Sequence, residues 1–275
     1  MTTVNTTPLT YNGYVTQIGL MAVVDTFTPT TNTTINGITY LAGVTYGGTS
    51  TSPDINFNNI IPQMLNYAEL RIQRDLDLFP LETSNSYNLT ASNNIFSFSI
   101  NDFVVVRTIA VVQNNQTNPL TPTSKEYIQN VYGQTTGSGM PVVFAPYGGD
   151  FATDGNTYQN YLLGPSPDQN YPVVVTGLIR MGTLNNYNTS STANANTTFI
   201  SSYLPDLLIM ASMVYISAYQ RNFGRMSDDP AMAQSYEGQY QALLRPALGE
   251  EYRKKFEASA WSSTSTAPVA TPTRG

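Results

Sequence analysis

Two pairs of adjacent acids, Asp228-Asp229 and Glu250-Glu251, are the side chains whose type and spacing come nearest to a reaction centre. Glycoside cleavage needs two carboxyl groups facing each other across about 5–10 Å. Adjacent residues on a helix do not face each other, and Asp228 or Asp229 is accounted for as the cap of a helix with Pro230 at its first position. The chain has no cysteine and no histidine. Disulfides, thiolate zinc sites and cysteine nucleophiles are therefore excluded, and the commonest general base and metal ligand is missing. Nineteen tyrosines invite a sugar-binding reading, yet Tyr is equally a residue of strands and protein interfaces. Tyr171 and Arg180 bring no chemistry of their own. The expectation is a protein that is not an enzyme and takes no cofactor and no metal.

Binding is the remaining chemistry. Charged residues make up 11 % of the chain, against about 25 % in ordinary globular proteins. Net charge is −6, and no Lys or Arg occurs before Arg71. A nucleic-acid grip shows a basic stripe, because phosphate contacts dominate affinity, and none is visible. The opening MTTVNTTPLT lacks the regions of a signal peptide, and no apolar run is long enough for a bilayer. The chain reads as soluble and made in a reducing cytoplasm. Two candidate contacts stand near its end. Trp261, the only tryptophan, sits in SAWSSTSTAPVATPTRG, which has the composition of an extended or disordered tail. Such a tail can order on a partner with the aromatic as anchor, or the Trp can fold back on its own domain. The run Arg253-Lys254-Lys255 can meet an acidic partner, or simply suit a helix C-terminus.

The elements that must position these residues follow from periodicity. YLPDLLIMASMVYISAYQRNFG, residues 203–224, is uncharged from Leu207 to Tyr219 and apolar all round a helical wheel. A helix of that kind must be covered on every face, so it is predicted as the central helix of a bundle. Ser201 or Ser202 caps it, Pro205 fits its first turn and Gly224 turns the chain out. Residues 11–25 read as a short amphipathic helix. Residues 26–53 read as an inserted β-hairpin or ordered loop turning at Asn36-Gly37. Residues 58–80 carry Ile61, Met64 or Leu65, Ala68, Ile72, Leu76 and Phe79 at helical spacing, with Gln63, Glu69, Gln73, Arg74 and Asp77 outside. Asn58 or Asn59 is the expected cap, with Pro62 in the first turn.

From Thr83 the period becomes two. A hairpin turns at Ser92-Asn93-Asn94, and residues 103–112 form a nearly continuous β-branched strand expected to be buried on both faces. A helical turn follows at 124–132. Strands at 158–163 and 171–183 flank the turn Gly164–Asp168, and 185–198 is linker. The last helix carries a stripe from Met232 to Phe256, with Pro246 kinking it one turn upstream. The fold class is thus α+β: a helical bundle with a central apolar helix (1–82 and 199–258), an inserted antiparallel β-domain (83–198) and an extended C-terminal arm (259–275).

Three segments resemble the head-to-tail adaptor, or connector, family of tailed bacteriophages, especially short-tailed ones. They are IPQMLNYAELRIQRDL at 61–76, the 164–168 turn with YPVVVTGLIRMGTL at 171–184, and YLPDLLIMASMVYISAYQ with the Tyr- and Gln-bearing helix after it. The likeness spans roughly residues 9–258 apart from the 26–53 insertion, and it rests on packing patterns rather than a catalytic signature. It implies a virion structural protein at the head–tail junction, assembled as a twelvefold homo-oligomeric ring under the portal vertex. Its partners would be the portal protein and the next tail component, a nozzle or tail hub. DNA would pass through the bore during genome ejection without specific binding, and no membrane is involved. The residues assigned to the portal contact are Arg253, Lys254, Lys255, Trp261, Pro268 and Val269. Another tail or fibre β-rich virion protein is the alternative, favoured by the insertion and the Tyr content.

Overall fold

Thr10 opens the first helix, its hydroxyl accepting the Gly13 N–H at 3.2 Å, which supplies one of the partners that a helix start lacks. The computed structural model describes residues 8–133, 137–151, 157–187, 196–222 and 231–258. Helix α1 (Tyr11–Met21) buries Tyr11, Tyr14, Val15 and Ile18. Four short strands follow: β1 (Thr26–Phe27), β2 (Thr33–Ile35), β3 (Ile38–Tyr40) and β4 (Tyr46–Gly47). β2 and β3 form the expected hairpin, with Asn36 at φ 53° and Gly37 at φ 80° making the two-residue turn that suits strand twist. β1 pairs with β4, and the rings of Phe27, Tyr40 and Tyr46 pack together at 5.0–6.0 Å.

Helix α2 (Ile55–Asp75) starts earlier than its apolar stripe suggests. Asp54 caps it, accepting from the Phe57 N–H at 3.1 Å. Asn58, expected as the cap, instead clamps β4: its side chain accepts from Gly47 N at 2.6 Å and donates to Gly47 O at 3.1 Å. Pro62 accordingly lies inside the helix rather than in its first turn.

Residues 80–181 then form a separate compact unit. It contains β5 (Glu82–Leu89), β6 (Ile95–Ser99), β7 (Val105–Gln113), β8 (Gln116–Pro119), β9 (Thr121–Pro122), α3 (Lys125–Val131), β10 (Val143–Phe151), β11 (Thr157–Gly164) and β12 (Tyr171–Leu178). They make two four-stranded sheets, in the orders β5-β12-β7-β8 and β6-β11-β10-β9, antiparallel except between β9 and β10. Phe96, Phe98, Phe144 and Leu163 of one sheet meet Leu89, Ile109, Val111, Val173 and Val175 of the other in a single core. This is a β-sandwich. Alternation sends Val143 and Ala145 to the far face of their sheet, where Ile128 of α3 covers them. Strand β7 differs from expectation. Only Ile109, Ala110 and Val111 are buried, while Val105, Arg107 and Thr108 are exposed, because among the described residues of this unit no second layer covers the outer side of that end.

The chain returns through α4 (Phe199–Tyr203), α5 (Pro205–Asn222) and α6 (Ala231–Ala258). Thr198 and Ser201 form a reciprocal capping box, so the expected Ser cap of one long helix is the start of a short separate one. Leu204, with ψ 44°, breaks the run before α5. Pro246 lies within α6 and does not end it.

The mixed α+β class stands, with 40 % helix and 31 % strand. The helical bundle around a central helix does not. The unit made of Met1–Phe79 and Gly182–Gly275 combines helices with two β-ribbons and short helical turns. Helix α5 is not enclosed all round. Leu207, Leu208, Ala211, Ser212, Met213 and Ile216 are buried, whereas Met210, Val214 and Tyr215 remain half-buried. Lack of charge identified an apolar helix but not a closed ring of neighbours about it.

Candidate functional site

The basic run that composition singled out lies in the last turns of α6, and most of its charge is spent within the same unit. Lys254 Nζ lies 2.8 Å from both Glu250 Oε1 and Glu251 Oε1 and 5.7 Å from the centre of the Phe199 ring. Partial burial opposes its charge, but the two carboxylates outweigh that and hold it above the usual lysine range. The same lysine lowers the Glu250 carboxyl. Lys255 pairs with Asp77. Arg253 stays exposed, its Nε donating to the Gly249 carbonyl at 3.3 Å. Trp261, Pro268 and Val269 lie outside the described residues, as do Asp228, Asp229 and the Gly224 exit.

The Glu250-Glu251 pair diverges. Glu250 is exposed, while Glu251 is buried and accepts the backbone N–H of Phe79 at 2.8 Å. Glu251 thus anchors the segment after α2 against α6. The two acids share Lys254 as a cation, and Glu251 spends its other oxygen on the Phe79 N–H, so the pair is engaged in ion pairing and anchoring. Among the described residues no cluster of His, Cys, Asp or Glu is placed to hold a metal ion, and no helix is long and apolar enough to cross a membrane.

A second polar cluster was only half legible. Arg71 and Asp75 lie four apart on α2, a spacing that suits a side-chain pair, and the two groups stand 3.6 Å apart. The stronger partner is remote in sequence: Arg71 Nη2 contacts Glu237 Oε1 at 2.5 Å. Its guanidinium stacks 4.1 Å from the centre of the Tyr240 ring, and Tyr240 donates to Asp75 Oδ2 at 2.6 Å. The hydrogen bond from Arg71 lowers the Glu237 carboxyl. Burial, aided by Asp75, raises the Tyr240 phenol. This network locks α6 to α2.

Glu69 was expected outside its helix and is instead only 2 % exposed. Its Oε1 accepts the Leu184 N–H at 3.0 Å, which holds the turn where the chain re-enters this unit. Next to it, Thr183 donates to Asn66 Oδ1 at 2.7 Å. Burial raises the Glu69 carboxyl above the ordinary range. Helical periodicity placed Glu69 beside the apolar stripe but could not show that a loop 115 residues later would supply its partner.

These groups are fasteners, and several large apolar side chains stay exposed elsewhere on the surface. Leu20 and Val23 at the end of α1, Tyr127 and Val131 on α3, and Tyr203 and Tyr252 stand in solvent. Exposed large apolar side chains on a charge-poor surface are the raw material of protein contacts. The sequence matches the family described as SU10 adaptor protein over residues 38–270. No curated protein matches the chain.

Proposed function

The chain belongs to the SU10 adaptor protein family, a family of phage head–tail adaptors, and on that premise we propose that it forms a ring joining the portal vertex to the tail. The coarser role is that of a phage adaptor in the virion, acting by contact with other head and tail components. The ring is homo-oligomeric, twelvefold by the resemblance, and its bore passes DNA without catalysing a reaction. The observation that carries the reading is the family match, which takes in part of one compact unit, the whole of the other and all of the last helix. Charge supports it. A conduit that held phosphate would stall its cargo, and Lys254 and Lys255 are committed to carboxylates.

In this reading residues 259–275 form the portal-binding arm, with Trp261 as anchor and Pro268 and Val269 as further contacts. Of the basic run, Arg253 is available without breaking an ion pair, whereas Lys254 and Lys255 join the contact only by exchanging theirs. The test is to mix purified portal with the full chain and with a form ending at Ala258, then weigh the complexes. The full chain should add many copies to the portal ring and the shortened form none. A portal mass unchanged by the full chain would overturn the reading. Equal addition by both forms would move the contact off the arm.

A further inference from the structure

The β-sandwich treats its two seams differently. At one, Leu120 donates to Ile109 O at 2.8 Å, and the β7–β8 register then turns the backbone of Thr117 and Pro119 outward. Pro119 has no N–H to offer. The chain passes at once into β9, which belongs to the other sheet and ends on Pro122. That seam is closed by a crossing chain and two prolines, devices that natural proteins use against edge pairing.

The other seam is open. Ile179 donates to Leu81 O at 2.9 Å, and the register runs unbroken from Leu178 opposite Glu82 to Tyr171 opposite Leu89. Thr83, Asn85, Tyr87 and Leu89 therefore spend their backbone groups on β12, and Glu82, Ser84, Ser86 and Asn88 turn theirs outward. β5 is the terminal strand of its sheet, and Ser84, Ser86 and Asn88 are exposed. Over eight residues it has no Lys, no Pro and no bulge. Strand β6, terminal in the other sheet, likewise turns Ser97 outward. A cleft of about 240 Å³, lined by Tyr87, Leu89, Ile95 and Phe96, lies between the two edges.

We infer that the open β5 edge accepts a strand from a second copy of this chain, and that the β2–β3 hairpin supplies it. The inference rests on the ring reading above. The hairpin is a two-stranded sheet by itself, an arrangement marginal in water without a further neighbour. Thr34 and Ile38 on it are exposed. No charged residue occurs from 26 to 52, and the outward positions of β5 beyond Glu82 are neutral, so the pairing meets no like charges. Hairpin and edge are different surfaces of one chain. Their contact is heterologous, the type that closes a ring, whereas β5 against β5 would stop at a dimer.

Ser86→Pro removes an outward N–H without touching the β12 ladder. The full-length variant should melt with the wild type and lose the multi-copy addition to the portal. Addition at the wild-type mass would overturn the inference while the ring reading stands. Because the chain has no cysteine, Thr34→Cys can be combined in turn with Ser84→Cys, Ser86→Cys or Asn88→Cys and oxidised. At least one combination should give ladders of covalently joined copies that neither single variant gives, since cross-strand neighbours fall within disulfide reach. No ladder from any of the three would overturn the inference, even if Ser86→Pro proves unable to fold. A wild type that fails to add to the portal removes the ring reading, and the cysteine assay on the purified chain still decides the pairing.

Discussion

Glu69 sets the pH response expected of this protein. Its carboxyl is buried and raised by desolvation, the hydrogen bond from the Leu184 N–H opposing that only in part. The sign follows from proton counting. In the folded chain Glu69 holds its proton above the ordinary Glu range, while in the unfolded chain it has already released it. Its contribution to stability is therefore greatest at the acid end of that window and declines as pH rises toward the elevated value. Glu69→Gln keeps an acceptor for the Leu184 N–H and removes the ionisation. The variant should melt higher than the wild type at about pH 8, and its melting temperature should fall less between about pH 5 and pH 8. Calorimetry across that range decides it. Parallel curves for the two proteins would mean that the buried carboxylate carries no ionisation cost.

At the scale of elements, Asp54 and Asn58 separate two jobs that one helix start could hide. Asp54→Ala removes a cap and should cost about 1 kcal/mol, fraying the first turn of α2. Asn58→Ala removes both bonds to Gly47 and should free the β1–β4 ribbon while α2 stays helical. Amide exchange distinguishes them: early exchange at Phe57 for the first, at Gly47 for the second. If Asn58→Ala altered only the helix start, the clamp would be wrong. The pair also shows what could be read from sequence. Period and turn residues recovered α1, α2, the Asn36-Gly37 hairpin, β11 and β12, because those signals are local. The capping residue of α2 was missed, since several Asn and Asp residues compete and only the fold decides which also meets β4. The exposed end of β7 and the incomplete cover of α5 were missed for a related reason. An apolar side chain reports its own preference, not whether a second layer arrives. Glu237 as the partner of Arg71 lies 166 residues away, beyond any spacing rule.

For the whole molecule, the arrangement of ends argues that residues 80–181 fold without the rest. The first strand of that unit, β5, and its last, β12, pair along their full length, with Glu82 opposite Leu178. Entry and exit thus lie side by side, as in a domain inserted into another. The core is assembled from residues 89 to 175, and Arg107 closes an ion pair with Glu82 at 3.0 Å inside the same unit. None of these contacts draws on a residue before 80 or after 181. A polypeptide of residues 80–181 should therefore show a β-type circular dichroism spectrum and one cooperative melting transition. The complementary deletion, with residues 80–181 replaced by a short Gly/Ser linker, should retain helix and the Arg71–Glu237 lock. If the excised piece were instead unstructured, the sandwich would depend on the helices for its stability. The two units would then have to unfold together, as one transition in the intact chain.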